Sequence, residues 1–576
     1  MAGRSPSKSR STDHVRGFKL LAMPDSYPYD LGPHHFPITA NAEAQLWFDR
    51  GLLWTYGFNH DEAVRCFERA VAADQDCAMG YWGIAYATGP NYNMTWALMD
   101  VGGRAEALAR AHEASRAALA CQASIRAEEA ALIAALPSRF PQAHVAPVPV
   151  MDNWDAAFAA EMGKQQSRFP DSREIRAVAV EAMMQRTPWA MWDPATGAPG
   201  DGADTLACRA LLEEAFADDP EALCHPGLLH LYVHLMEMSA EPEAALRHAD
   251  LLRALVPDAG HLVHMATHID VLCGAYHDVV YWNQRAVDAD LIYYGREGAF
   301  NIYTGYRQHN YHFVAYGAMM LGQMAPALAA LRGLADTTPD EMLRLTSPPM
   351  ADYFESYVGL IPHVLVRFGQ WQACLDMDLP QDPVLYASSL VNVLYAKAVA
   401  LAALGRVSEA RDMQARFLAA CDAVPESRWL HTNRVVDIQA VAKAMVEGEI
   451  LYREGYYDAA FAELRRAVTL EDGLNYDEPW GWMQPVRHAL GALLLEQGRI
   501  AQAEACFRAD LGLGGQIGRA MVHPGNVWAL RGLHDCLQAR GEAAEIVGVR
   551  QALNLAEARA DSPVRAACAC ALAANG

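Results

Sequence analysis

The sequence predicts an all-α chain, a superhelix of repeated helix hairpins, and three observations support this. Apolar residues recur at helical spacing along most of the chain, while strict two-residue alternation is scarce. Segments about 34 residues apart place small and large residues at matching positions. Gly turns followed by Ala-rich stretches recur in the same frame. Of the 576 residues, 52% are hydrophobic and 20% charged, and mean hydropathy is −0.03. That is ample material for a buried core, at a length prior of about four domains.

The first repeat sets the frame. Counting Ala44 as position one, Trp47 falls at position 4, Gly51 at 8, Ala63 at 20, Phe67 at 24 and Ala70 at 27. Small residues there let two helices approach, and large ones fill the space between them. This arrangement resembles the tetratricopeptide repeat (TPR), a helix-turn-helix unit of about 34 residues. The frame restarts at Pro226, with Ala245 at position 20 and Pro257 at 32, then at Gly260, then at Gln308, with Gly322, Ala327 and Pro339 in register. Later units start near Val441 (Gly448, Ala460, Leu464, Ala467) and Gln484 (Gly491, Ala503, Phe507). Residues 386–420 carry the same pattern, and MVHPGNVWALRGLHDCLQARG opens the last pair.

The expected organisation is a disordered basic arm at 1–20, N-terminal TPR helices at 21–135 and insertion loops and helices at 136–224. His-rich repeats follow at 225–345, C-terminal repeats at 346–555 and an Ala-rich tail at 556–576. Residues 136–154, 187–204 and 290–307 interrupt the array with Pro, Gly and aromatic residues. Long connections inside a compact array are commonly functional, so these are expected to fold over the concave face and close the superhelix into a compact horseshoe.

Charge and motif content exclude several classes. With 46 Lys plus Arg against 69 Asp plus Glu, the net charge is −23, which works against nucleic-acid partners and anionic membranes. No apolar run reaches the ~18–20 residues of a membrane span, and residues 1–20 lack an apolar signal core. The 12 cysteines include no C-x-x-C pair, so reduced thiols and a cytoplasmic location are expected. HExxH, GxSxG, Walker and complete GxGxxG motifs are missing; GLGGQIG has Ile517 where the third Gly belongs.

The 21 histidines carry the functional signal. His230 and His234 stand four apart on one helix face, and Glu237 continues the stripe. His264 and His268 repeat the pair one 34-residue period later. TPR ligands generally lie on positions 2, 5 and 9 of the first helix. Here position 2 holds His261 and His309, position 5 holds His230, His264 and His312, and position 9 holds His234 and His268. Imidazoles converging from neighbouring helices suit a transition metal: copper, iron or zinc. Expected metal ligands are His230, His234, His264, His268 and His312, with both i, i+4 pairs serving one centre. Glu237 is expected as ligand or general base, and His261 and His309 as further participants in catalysis. His225, Asn310, Tyr92, Trp96, Trp189 and Trp192 are expected to contact substrate or exclude water, and Asp270 to orient a ligand. A metal-free polar groove and ordinary structural histidines are the competing readings. His363, His431, His488, His523 and His534 read as single core or cap residues.

The strings FNHDEAVRCFERA, AMGYWGIAYATGPNYN, HPGLLHLYVH, AGHLVHMATHID, QHNYHF and YDEPWGWMQPVRHALG resemble a family of microbial TPR-domain proteins. HLVHMATHI and QHNYHF are also similar to segments of the eukaryotic tetratricopeptide repeat protein 38. The resemblance runs from about residue 30 to 540 and implies the fold. It further implies that Asn91, Tyr92, Asn93, Glu478, Pro479 and Arg487 belong to the shared motifs. Family members often carry Pro at Ala266. The resemblance implies no reaction. The expected function is therefore a metal-dependent enzyme, hydrolytic or oxidative, acting on a small molecule in the groove. The alternative is an interaction scaffold that binds a peptide or partner protein there.

Overall fold

The computed structural model describes residues 27–121, 124–515 and 517–571. The basic arm expected at 1–20 lies outside them, as does the end of the Ala-rich tail.

The chain is an all-α array of antiparallel TPR-type hairpins. The first pairs Ala42–Tyr56 with His60–Ala73. Asn41 caps the first helix, its side chain accepting the Glu43 and Ala44 backbone N–H groups at 3.1 and 3.0 Å. The repeat's small and large positions meet as the sequence requires. A Cβ added at Gly51 would lie 2.6 Å from the Phe67 ring, one at Gly448 2.8 Å from Leu464, and one at Gly491 2.6 Å from Phe507. The following helix presses on the same ring, since a Cβ at Gly83 would lie 2.4 Å from Phe67. Helix propensity favours Gly83→Ala by about 1 kcal/mol, whereas overpacking a ring already held on its other side costs about 1–3 kcal/mol. The clash wins, so this change is expected to lower the thermal midpoint; an unchanged or raised midpoint would contradict the packing account.

Two large cores share the array. One draws mainly on residues 29–303 and the other on residues 271–570, so the His-rich repeats sit where they meet. Both ends of the described chain fold back toward these repeats. Asp30 donates its backbone N–H to the Asp258 carboxylate at 2.6 Å and its carbonyl accepts the Asp258 N–H at 3.1 Å. Asp561 accepts the Met324 and Ala325 N–H groups at 2.8 and 2.9 Å, capping Met324–Asp336. Arg519 donates to the Leu272 carbonyl at 2.9 Å, and the Tyr353 hydroxyl to that of Leu98 at 2.7 Å.

Some expectations change. Residues 187–204 are irregular, but helices extend into the other two interruptions: Ala127–Arg139 and Val148–Arg168 leave only 140–147 as a connection. Likewise Tyr276–Glu297 and Thr304–Met320 shrink the third interruption to 298–303. Apolar faces at helical spacing carry these helices past the Pro and Gly residues that suggested loops. Ten cysteines are free thiols, and Cys568 and Cys570 lie side by side near the end of the described chain. Among the described residues, the named strands are Trp429–Leu430 and Asn433–Arg434, an antiparallel hairpin with His431 at its turn. No described helix is long and apolar enough to cross a membrane.

Candidate functional site

Three helices carry the site: Pro226–Met236, Gly260–Leu272 and Thr304–Met320. Pro226 at the first position suits a helix start, and His225 caps it, its Nδ1 accepting the Leu228 N–H at 3.1 Å. Gly260 is required by close approach, because a Cβ there would lie 2.0 Å from Asp290 Oδ1. Asp290, on Tyr276–Glu297, accepts from Tyr303 Oη at 3.0 Å and Asn310 Nδ2 at 2.7 Å, and Tyr303 Oη accepts the His261 N–H at 3.3 Å, which links the second and third His helices.

The imidazoles converge in two groups. His230, His234 and His261 form one, and His264, His268 and His309 the other; within each, the ligand-capable atoms lie within 4.8 Å of one another. All six residues are buried, His309 being the most exposed at 6%. The single centre expected from the two i, i+4 pairs is thus resolved into two groups, each joined by a histidine from the next repeat.

Hydrogen bonds fix the ring orientations. His230 Nδ1 donates to the Tyr56 carbonyl at 2.7 Å. His264 Nδ1 donates to Asn283 Oδ1 at 2.7 Å, and Asn283 Nδ2 is itself committed to Thr267 and to the Val279 carbonyl. His234 Nδ1 lies 3.0 Å from Glu237 Oε1. His268 Nδ1 lies 3.0 Å from Glu237 Oε2 and 2.5 Å from Glu478 Oε2. With Nδ1 carrying the hydrogen, the neutral rings of His230, His234 and His264 each present an Nε2 lone pair. These Nε2 atoms meet those of neighbouring rings: His230 faces His261 at 3.1 Å, and His264 faces His268 at 2.8 Å. Carbonyl or carboxylate behind Nδ1 with Nε2 free is the usual support of a metal-ligating imidazole.

Electrostatics sharpen this picture. Burial, reinforced by neighbouring imidazoles, holds His230, His261, His264 and His309 well below the ordinary histidine range, so they are neutral at pH 7. Burial also lowers His234. His268 departs from the rest: Glu478 and Glu237 outweigh its burial and push it up. Burial resists ionisation of Glu237, but His234 and His268 prevail and hold it low. Glu478 is raised, chiefly by burial. Its carboxylate also accepts the Tyr476 hydroxyl. The site therefore sets the charged pair of His268 with Glu237 among five imidazoles whose burial keeps them neutral.

In front of the rings lies a cavity of about 410 Å³. His234 and His261 reach it from one group and His268 and His309 from the other. Tyr92, Trp189, Tyr306, Tyr353, Phe354, Tyr357 and Trp429 supply its aromatic walls. Among the described residues, no Lys, Arg, Asp or Glu lines it. A neighbouring cavity of about 500 Å³ shares Asn93, Met94, Ile302, Tyr306 and Tyr353 with it and reaches the charged side chains Arg65, Glu68 and Arg110.

Several expected roles move. His312 does not join the ligands; its Nε2 faces Met483 Sδ at 2.9 Å. Glu237 touches Nδ1 atoms and does not line the cavity, so it orients rings and is not placed as a base beside a metal-bound water. His261 and His309 stand among the convergent rings themselves. His225 is a helix cap whose Nε2 lies 3.3 Å from Glu174, and Asn310 is tied to Asp290, so neither meets the cavity. Tyr92 and Trp189 do line it, but Trp96 is buried in the N-terminal core and Trp192 donates to the Leu235 carbonyl at 2.6 Å. Asp270 forms a two-pronged ion pair with Arg253, both contacts at 2.8 Å, and orients no ligand.

His431, read from the sequence as a core or cap residue, lines the cavity, as does Tyr306, which the sequence reading did not name. His431 sits at the hairpin turn with a positive φ of 52°, bonded through Nδ1 to Asp477, its ring stacked 5.1 Å from that of His309. A strand pair two residues long leaves no periodic trace. Tyr306, 4.6 Å from the His261 ring, lies one helical turn before His309 and was readable from that spacing.

No protein-family model matches the chain, and no curated protein matches it. Among solved structures it is similar to the APC/C hetero-tetramer Cut9–Hcn1, with 12% identity, a TM-score of 0.31, and coverage of 90% of this chain and 78% of that one. It is also similar to Naa15/Naa10 bound to HypK-THB, with 12% identity, a TM-score of 0.20, and coverage of 89% and 70% respectively. Neither likeness carries a functional assignment to this chain.

Proposed function

We propose that this protein is a metal-dependent enzyme whose histidine centre acts on a small, uncharged molecule held in the aromatic cavity. The supporting observation is the convergence of six buried imidazoles in two groups of three, the ligand-capable atoms of each within 4.8 Å of one another. A transition-metal ion in either group would be held by three ring nitrogens. A protonated His268 would bridge to His264 by itself. It leaves His234 Nε2, His261 Nδ1 and His309 Nδ1 without partners.

All-imidazole donors suit copper, iron or zinc. Bound there, such an ion supplies Lewis acidity or, for copper and iron, redox chemistry. The chain's own residues bind the substrate on Tyr92, Trp189 and Tyr306, exclude bulk water, and hold the rings in the ligating tautomer through Glu237, Glu478, Asn283 and the Tyr56 carbonyl. The absence of charged lining residues favours a neutral substrate over a phosphate or carboxylate.

A second reading is an interaction scaffold, which the helical-repeat architecture supports without any metal. On that reading a partner would use the outer surface, because the histidines at positions 2, 5 and 9 are enclosed. Elemental analysis of the untagged, desalted protein separates the two. The enzyme reading expects bound copper, iron or zinc; less than about 0.2 metal per chain after reconstitution would end it and leave the scaffold.

A further inference from the structure

We propose that the protein holds two metal ions, one in each of two three-histidine modules generated by translating the same helix positions through one repeat. This rests on the metal-centre reading above.

The modules have one construction rule. Each takes positions 5 and 9 of one repeat and position 2 of the next. His230, His234 and His261 satisfy it once, and His264, His268 and His309 satisfy it again. His230 to His264 and His234 to His268 are both one 34-residue period. The longer step from His261 to His309 contains the extension of Tyr276–Glu297 and the 298–303 connection. A third copy would need position 9 of the next repeat, which is Tyr316. The series stops there, and His312, in position 5, turns its Nε2 to Met483.

Each module has its own ring supports. The first uses the Tyr56 carbonyl and Glu237 Oε1; the second uses Asn283 Oδ1, Glu237 Oε2 and Glu478. Glu237 therefore spans both with separate oxygens. The modules are neighbours: the His234 and His268 rings lie 5.9 Å apart, and those of His261 and His264 5.8 Å. Each sends two imidazoles to the same cavity wall. Three protein ligands per ion leave a position for an exogenous donor, and two ions side by side would address a single substrate. Glu237, His268 and Glu478 also converge, but neither glutamate lines the cavity, and their contact with His268 Nδ1 is what aims its Nε2 into the second module.

The test is the metal stoichiometry of the full chain, stripped with chelator, titrated with cobalt(II), desalted, and read by elemental analysis and visible absorption. Wild type is expected to retain about two ions per chain, His261→Asn and His309→Asn about one each, and the double variant almost none. His230→Gln and His264→Gln provide a second, independent pair, with circular dichroism confirming that each variant is helical. Wild type saturating at about one ion, with either single substitution abolishing it, would establish one shared centre and overturn the inference while sparing the metal reading. No retained cobalt or zinc in wild type would overturn both.

Discussion

Glu237→Ala is expected to weaken zinc(II) or cobalt(II) binding by about 10–100-fold, as loss of a carboxylate behind a ligating imidazole typically does. The residue is fully buried and holds two rings at once, His234 Nδ1 and His268 Nδ1, each at 3.0 Å. Removing it frees His234 to rotate and leaves His268 with Glu478 alone. Glu237→Gln keeps one carbonyl oxygen, so one ring stays oriented, and its loss should fall between those of wild type and alanine. Competition against a chromophoric chelator measures the effect. Affinity unchanged in Glu237→Ala would mean that the imidazoles are held by packing alone, and that this carboxylate has no part in the centre.

Asp510→Ala is expected to cost about 3–5 kcal/mol of stability, the scale for removing one partner of a buried ionic network. Asp510 accepts from His488 Nε2 and His523 Nδ1, both at 2.8 Å, and from Asn526 Nδ2 at 2.9 Å. His488 Nδ1 accepts from Arg367 at 3.0 Å, so its Nε2 carries the hydrogen and the ring is a structural link, not a ligand. The network joins the end of Ile500–Asp510 to the start of Val527–Arg540. Burial resists the Asp510 charge, but His488 and His523 outweigh it and hold the carboxyl far below the usual carboxylate range. A depressed acid contributes stability above its unfolded pKa of about 4 and loses it as pH falls further. Urea denaturation should therefore show a wild-type-to-alanine difference that is full at pH 7 and shrinks below about pH 4. An equal difference at both pH values would rule out the ionised network as its source.

The helical repeat was legible because its code is local. Gly51 with Phe67 and Gly491 with Phe507 recur at fixed spacing, and that spacing alone dictates which side chains meet across a hairpin. The same register put His230, His234, His264 and His268 on one inner face, since helix geometry and a 34-residue period are properties of the string. Register could not decide which neighbours each ring would meet. The partition into two groups depends on how far one repeat rotates against the next, which brings His261 to His230 and His309 to His264 and turns His312 toward Met483. Glu478, in a motif the family resemblance had marked, and His431 join from more than 120 residues away in sequence. The sequence by itself determined the architecture and the six rings' common face. Only the tertiary structure decided their pairing, their tautomers and the carboxylates behind them, because those follow from contacts between repeats that no periodicity encodes.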